Sequence, residues 1–454
     1  MTMLRRMNFK THFSRTFNLA YPVMLSQLGQ VLVGVADSMM VGRLGAEPLA
    51  AASLANSIFF VILMFGIGIS MAITPLVAAA DGEGKVNRIS RLFRYGFAIN
   101  TIAGVLLFLL IILASPLLYQ MGQPQIVVNL AIPYLGIIAF SLVPFMFFQH
   151  FKQFAEGLSQ TKQAMRITLL CNGVNVFLNW VLIYGNLGFP AMGLNGAGWA
   201  TLISRVLMAL IMGYYVWHSK RYRGYDLAMS FKGLRLPMVS YILKIGLPTG
   251  FQFIFEVGAF SFAAIMMGWL GVNALAAHQI AINLASISYM MASGLSAAAT
   301  VRVGNQLGRN DIHTLREAGF TIFAMVGLFM LVFAVFFVTL KEFLPLLYID
   351  NPTVINISAS LLIIAGFFQI SDGIQVVGLG ALRGMADVKI PTWVTLIAYW
   401  GLALPLGYMM TFHWGVGAQG VWFGLLIGLT LTGGVLLYRF HYLSLKLLYK
   451  SQIK

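Results

Sequence analysis

The sequence predicts an all-α polytopic membrane protein, with twelve transmembrane helices arranged as two six-helix lobes that repeat one another in parallel. Three observations predict it. Of 454 residues, 59% are hydrophobic and only 9% charged, where a soluble domain carries roughly 25% charged residues; the mean hydropathy is +0.85. The apolar residues fall in continuous runs of about 20, the length a helix needs to cross hydrocarbon, and not in the alternating segments of about 10 that build a membrane barrel. Backbone groups cannot stay unpaired in lipid, so helices are what remains. The third observation is internal. A shift of 226 residues places Pro22 on Pro248, Gly42-Arg43-Leu44-Gly45 on Gly268-Trp269-Leu270-Gly271, and Leu49-Ala50-Ala51 on Leu275-Ala276-Ala277. Without a gap it also places Gly68, Ser70, Ala72, Thr74 and Gly82 on Gly294, Ser296, Ala298, Thr300 and Gly308. An even number of spans separates the copies, so they share one orientation and are related by an axis along the membrane normal.

The first span, near 17–42, follows the basic start MTMLRRMNFKTHFSRTF, which lacks a short apolar core with a cleavage site and reads as a cytoplasmic leader. The second lies near 48–75. The third, near 92–114, begins beside the cluster Lys85, Arg88, Arg91, Arg94, and the fourth lies near 128–150. The fifth, near 164–184, carries the single cysteine, Cys171, which leaves no disulfide framework or thiol metal cluster. The sixth, near 196–217, leads into the polar stretch His218 to Ser240, the longest charged interruption in the chain. The second lobe follows with spans near 239–268, 274–300, 316–340, 354–382, 390–412 and 418–440. The expected division is a lobe over 1–222, a cytoplasmic linker over 223–235 and a lobe over 236–454.

The net charge of +16 does not point to nucleic acid. Of the 29 Lys and Arg, the amino end, the even-numbered loops and the carboxyl end hold 26, the odd loops hold Arg43 and Lys341, and Arg205 falls inside the sixth span. Cations collect on the cytoplasmic side of membrane proteins, so both termini are expected there.

Three of the thirteen acids lie inside spans: Asp37, Glu256 and Asp372. Between Lys244 and Arg302, Glu256 is the sole carboxylate. It sits about 18 Å of helix past Lys244, near the middle of the bilayer. Asp372 lies at a similar depth, counted from Arg383, while Asp37 is nearer the outer face. A charge at the bilayer centre costs about 3 kcal/mol or more and usually marks function. Burial disfavours the ionised carboxyl, so such a group can exchange a proton for another cation. The plainer role is a protonated acid that hydrogen-bonds helices together. Polar neighbours favour a site: Gln252 beside Glu256; Gln279, Asn283, Ser286 and Tyr289 in the eighth span; and Gln369, Ser371 and Gln375 around Asp372. Gln279, Asn283 and Ser286 are spaced by four and three and share a face. The first lobe offers Asn175 and Asn179, spaced by four, and Thr201. Any of these could equally be ordinary interhelical hydrogen bonding. Arg205 and His278 are expected to be structural. The seven His and one Cys show no metal spacing, and Gly378-Leu379-Gly380-Ala381 follows a helix, so it serves packing or bending.

The stretches PVMLSQLGQVLVGVADSMMVGRLG (22–45), LPTGFQFIFEVGAFSFAAIMMGWLG (247–271), AAHQIAINLASISYMMASGLSAAATVRVGNQLG (276–308) and FFQISDGIQVVGLGALRGMAD (367–387) resemble multidrug and toxic compound extrusion (MATE) transporters. The paired loops EGLSQTK (156–162) and RGMADVK (383–389) do so too, and the resemblance covers nearly the whole chain. It implies two lobes around a central cavity and a secondary antiporter that expels amphipathic, often cationic drugs against inward Na⁺ or H⁺. Glu256 and Asp372 match the acids of the NorM-type branch, and Asp37 matches the first-lobe acid. By the same resemblance Tyr289 and Gln279 belong to a second-lobe cation site, to which the spacing from Gln279 adds Asn283. Asn175, Asn179 and Thr201 belong to one around Asp37. Na⁺ is then expected at Glu256, Asp372 or Asp37. Some NorM-type members carry a Tyr where this chain has Phe368, which removes a hydroxyl ligand and leaves the ion open.

The function so expected is a multidrug antiporter working by alternating access as a monomer in a bacterial-type inner membrane. Its partners are small amphipathic cations, Na⁺ or H⁺ and the lipid bilayer, with no cofactor besides the coupling ion and no nucleic acid. The alternative is a flippase for a lipid-linked or polyanionic substrate. Such a carrier should line its cavity with cations, whereas the deep charges here are mostly acidic, with Arg205 the one deep cation. An enzyme would need a nucleophile–base or metal constellation, and the sequence offers none. A passive channel fits the two-lobe repeat less well.

Overall fold

Why the chain forms helices follows from its apolar runs, and the computed structural model shows where each begins and ends. It describes residues 9–120, 122–231 and 233–453; the first eight residues of the basic leader and Lys232 of the linker lie outside them. Twelve helical spans are long and apolar enough to cross a membrane: α1 (Lys10–Gly42), α2 (Ala46–Gly82), α3 (Val86–Gln120), α4 (Gln125–Gly157), α5 (Thr161–Tyr184), α6 (Leu194–His218), α7 (Leu236–Trp269), α8 (Val272–Gly308), α9 (Ile312–Thr339), α10 (Pro352–Gly384), α11 (Lys389–His413) and α12 (Ala418–Gln452). Several outrun the expected spans. α8 continues to Gly308 and α12 to Gln452, because lipid sets the length of the apolar run while backbone hydrogen bonding lets the helix run on.

The repeat survives at the level of single hydrogen bonds. α2, α4, α8 and α10 each end on a glycine, and two residues later comes a left-handed residue: Gly84, Ser159, Asn310 and Ala386, with φ of 67°, 62°, 58° and 58°. In all four the left-handed residue and its successor donate backwards to the last turn, at 2.8 to 3.1 Å. That pair of bonds is the Schellman arrangement, which satisfies carbonyls a helix end leaves open. At the other end of α2 and α8, Gly45 and Gly271 adopt φ of 125° and 115°, reachable at little cost only without a Cβ. Inside each copy, Thr74 Oγ1 donates to the Gln153 carbonyl at 3.2 Å and Thr300 Oγ1 to the Gly380 carbonyl at 2.9 Å.

The packing divides the chain at other places than the linker. One compact unit runs from Leu25 to Gly250; the other starts at Phe251 and includes the segment up to Met24. The expected boundary over 223–235 is therefore displaced, because α1 and α7 each begin in one unit and end in the other. Both switch two residues after an internal proline, Pro22 and Pro248, where the helix loses a hydrogen bond and resists least. Each incoming segment is seated tightly. A Cβ on Gly294 would fall 2.9 Å from the Ala20 carbonyl and 3.0 Å from the Met24 nitrogen, and one on Gly68 would strike Gly250 and Thr249. The start of α1 is further held by Arg302. Its Nη1 donates to the His12 carbonyl at 3.0 Å and to Thr16 Oγ1 at 2.6 Å, and His12 Nε2 lies 3.3 Å from Glu317.

Four spans depart from α geometry. α2 is interrupted at Met71 and Ala72 and α4 at Ser141, and α3 ends in the 3₁₀ stretch Ser115–Gln120. α11 contains the π-helical stretches Ile397–Ala403 and Met409–His413, a geometry frequent at functional sites.

Candidate functional site

In the unit that begins at Phe251, the carboxyls expected from the sequence are buried. Glu256 on α7 is 7% exposed and Asp372 on α10 is 5% exposed. Spacing explains the nearest contact of Glu256. Gln252 lies one turn before it, and its Nε2 donates to Glu256 Oε1 at 3.1 Å. From α10, Gln375 Nε2 donates to the same oxygen at 3.1 Å. The Gln375 side chain is fixed in turn by Tyr399 of α11, whose hydroxyl donates to its Oε1 at 3.1 Å. Tyr399 sits in the first π-helical stretch of α11. Asp372 lies within electrostatic reach of Glu256, and Tyr289 of α8 feels both. Among the described residues no hydrogen bond reaches the Asp372 carboxylate. Gln369, one turn before it, accepts from Ser288 Oγ at 2.5 Å and keeps a buried, unpartnered Nε2. Two carboxyls, two tyrosines and three amides from four helices thus share one buried neighbourhood.

Other expected members stand elsewhere. Gln279 and Asn283 are exposed and bond to each other at 3.1 Å; spacing placed them on one face, and that face is not the one joined to Glu256. Ser286 bonds back to the Ile282 carbonyl. His278 accepts from Trp422 Nε1 at 3.1 Å, a structural contact as expected. Phe368 is buried against Trp422 and Phe260, with ring centres 5.4 and 6.1 Å away. The hydroxyl absent at that position is not replaced there, but Tyr399 brings one from α11. Sequence reasoning missed Tyr399; its signal was one phenol in the otherwise apolar run TLIAYWGLALP.

In the unit from Leu25 to Gly250, Asn179 Nδ2 donates to Asp37 Oδ1 and to Asn175 Oδ1, the latter at 3.2 Å. Asn179 Oδ1 is buried without a partner. The spacing of four on α5 therefore joins Asn175 to Asn179, and Asn179 alone bonds directly to the acid of α1. Thr201 is half-buried, and no hydrogen bond of its hydroxyl is among those of the described residues. Arg205 was expected to be structural, and its guanidinium lies between the rings of Phe59 and Phe145, 4.9 Å from each centre. It donates to Ser141 Oγ at 2.7 Å, at the break in α4, and is within electrostatic reach of Asp37 and Tyr134. Lys152, Arg302 and Arg383 are also buried by packing, toward the ends of their helices.

Carboxylate, amide and phenol oxygens are the donors a hard monovalent cation takes, and a carboxyl alone suffices for a proton. The candidate Na⁺ positions at Asp37 and at Glu256 with Asp372 both meet that requirement. No group of three or more His, Cys, Asp or Glu placed to hold a metal occurs among the described residues.

The MatE family model matches residues 22–181 and 248–409, two blocks that begin at the paired prolines. The chain is 36% identical over 431 residues to a probable multidrug resistance protein NorM of Mesorhizobium japonicum, covering 93% of this chain and 92% of that protein. It is 34% identical over 431 residues to the multidrug resistance protein MdtK of Yersinia pseudotuberculosis, covering 94% of each. Its fold is similar to a MATE crystal structure in a bent conformation, with a TM-score of 0.90 at 22% identity over 97% of both chains. It is similar also to the eukaryotic MATE transporter AtDTX14, with a TM-score of 0.87 at 19% identity, over 98% of this chain and 99% of that one.

Proposed function

The chain belongs to the MatE family, and from that premise we propose that it is a multidrug exporter that expels amphipathic cations in exchange for inward Na⁺ or H⁺. The observation that carries the reading is the burial of Glu256 and Asp372 within reach of one another, with Gln252, Gln375 and Tyr399 holding the first. Two buried like charges repel, so the pair favours a guest that brings positive charge.

An ion arriving from outside binds Glu256 and Asp372 and neutralises them. The grip on a cationic drug weakens, and the site turns toward the other side by alternating access. A drug arriving from the inside or the inner leaflet then displaces the ion. Moving one charge across the membrane is worth about 2.3 kcal/mol per 100 mV, so an electrogenic exchange draws on the potential as well. Asp37 with Asn175 and Asn179 forms a second oxygen-lined position for the ion. In this reading both termini face the cytoplasm of a bacterial cell, and the transporter works as a monomer.

Arg302 and Arg383, buried beside acidic and polar groups, weaken the argument from cation count against a polyanion carrier. The preference for a cationic cargo rests on the carboxyl pair. The test is uptake of a fluorescent cation by proteoliposomes, with Na⁺ and pH gradients imposed separately. Glu256→Gln and Asp372→Asn are each expected to abolish coupled uptake while expression stays normal. Wild-type transport from either variant would remove the assignment.

A further inference from the structure

The exchange described above leaves one buried charge without a role. Arg383 lies in the last turn of α10 and is 4% exposed, and its Nε has no hydrogen-bond partner. A buried guanidinium with an unpartnered Nε is costly, so its compensating charge should lie close by. It is not on the same helix. In the other copy of the repeat, the equivalent residue Glu156 has its partner one turn back: Lys152, at 3.9 Å. One turn before Arg383 stands Leu379. The second copy has reversed the sign at this position and lost the local partner.

The geometry of α7 and α10 supplies another. The two spans are separated by an odd number of crossings and run antiparallel. Side chains on a helix lean toward its own N-terminus. Glu256 therefore leans back along α7 and Arg383 back along α10, each toward the other. Glu256 is tied to α10 through Gln375, and Arg383 follows Gln375 by about 12 Å of helix, a gap its long stem closes in part. Glu256 and Arg383 are within electrostatic range of one another.

We propose that Arg383 is a resident cation, tethered to α10, that competes with coupling ion and cargo for the Glu256 carboxylate. The proposal rests on the reading of Glu256 as the exchange site. Between exchanges the carboxylate is compensated by the guanidinium, and an arriving cation must displace it. Arginine keeps its proton throughout the working pH range, so the competition persists whatever ion drives transport. The device lowers affinity for every cation and eases release, which an exchanger needs more than tight binding.

The test is equilibrium binding of tetraphenylphosphonium to the full chain in nanodiscs at one fixed pH and ionic strength. Arg383→Gln should bind about tenfold more tightly, about 1.4 kcal/mol, and turn over more slowly in proteoliposomes. Arg383→Lys keeps the charge and should stay near wild type. In a Glu256→Gln background, Arg383→Gln should change affinity less than about twofold, since the residues act on each other. Unchanged or weaker binding by a folded Arg383→Gln protein would overturn the proposal, as would equal tightening with and without Glu256. Arg383→Met, which keeps a long apolar stem, carries the same expectation if the glutamine variant does not fold; failure of both neutral variants alongside a folded lysine variant would assign Arg383 to stability and overturn the proposal. Wild-type affinity in Glu256→Gln alone would instead refute the reading of the exchange site.

Discussion

Removing one oxygen atom offers the sharpest probe of how the buried carboxyl is held. Tyr399→Phe keeps the ring, which packs 5.9 Å from the Phe260 ring, and deletes the hydroxyl that donates to Gln375 Oε1 at 3.1 Å. Shape is conserved, so the penalty is that of a buried amide oxygen left unpaired, about 1–3 kcal/mol. Gln375 is then free to rotate, and its hold on Glu256 Oε1 is lost for part of the time. Should the whole penalty fall on the state that grips the cation, it converts to a loss of roughly 5- to 150-fold in apparent affinity, at 1.4 kcal/mol per tenfold. Binding of a fluorescent cation to purified protein, with thermal unfolding measured in parallel, separates the effect on the site from that on the fold. A double-mutant cycle with Gln375→Leu should give a coupling of about 0.5–3 kcal/mol, since the residues share one hydrogen bond. Wild-type behaviour of Tyr399→Phe in both measurements, or strict additivity in the cycle, would refute the chain of contacts from α11 to Glu256.

Further outcomes follow from the scaffold. Gly294→Val would push side-chain atoms into the Ala20 carbonyl and the Met24 nitrogen; overpacking of this kind costs about 1–3 kcal/mol, visible as a lower yield of folded protein and a lower unfolding temperature. Ala386→Gly should stabilise the end of α10 by roughly 1 kcal/mol, because Ala386 holds φ of 58° against the preference of L-residues, whereas Gly84→Ala should destabilise the equivalent turn after α2. Glu83 beyond α2 carries a pH signature. Partial burial pushes its carboxyl up, but hydrogen bonds and charges from Lys85 and Arg88 outweigh that and hold it below the usual carboxylate range. A depressed folded-state value means that the contact is present at neutral pH and is lost as pH falls through that value. The hydrogen-exchange protection factors of the 83–91 turn, corrected for the intrinsic pH dependence of exchange, should therefore fall in acid for the wild type, weakly because the pair is near the surface, and show no such step in Glu83→Gln.

The repeat was legible because it is written at the scale of whole spans. Pro22 and Pro248, Gly45 and Gly271, and the glycines ending α2 and α8 each occupy places where backbone geometry leaves little choice. Asp37, Glu256 and Asp372 stood out because lipid makes an acid conspicuous. Asn175 and Asn179 shared a face by helical spacing, and the resemblance to MATE transporters placed them around Asp37. The same rule gave Gln279 and Asn283 a common face but could not say what that face meets. Tyr399 escaped because a π-helical stretch has no α periodicity to read. Glu156, Lys152 and Arg383 were placed at membrane surfaces by counting apolar residues, although packing buries all three; burial is a property of neighbours distant in the chain. The paired prolines were visible, but nothing local announces that the chain changes packing partner two residues later.

That exchange of partners bears on whether the molecule can be taken apart. A gene cut within 223–235 yields two polypeptides of similar size, yet each would carry off a half-helix that the other requires, the stretch up to Met24 in one case and the stretch ending at Gly250 in the other. Neither fragment is expected to be self-sufficient. Made together in one cell, they should find each other and restore transport.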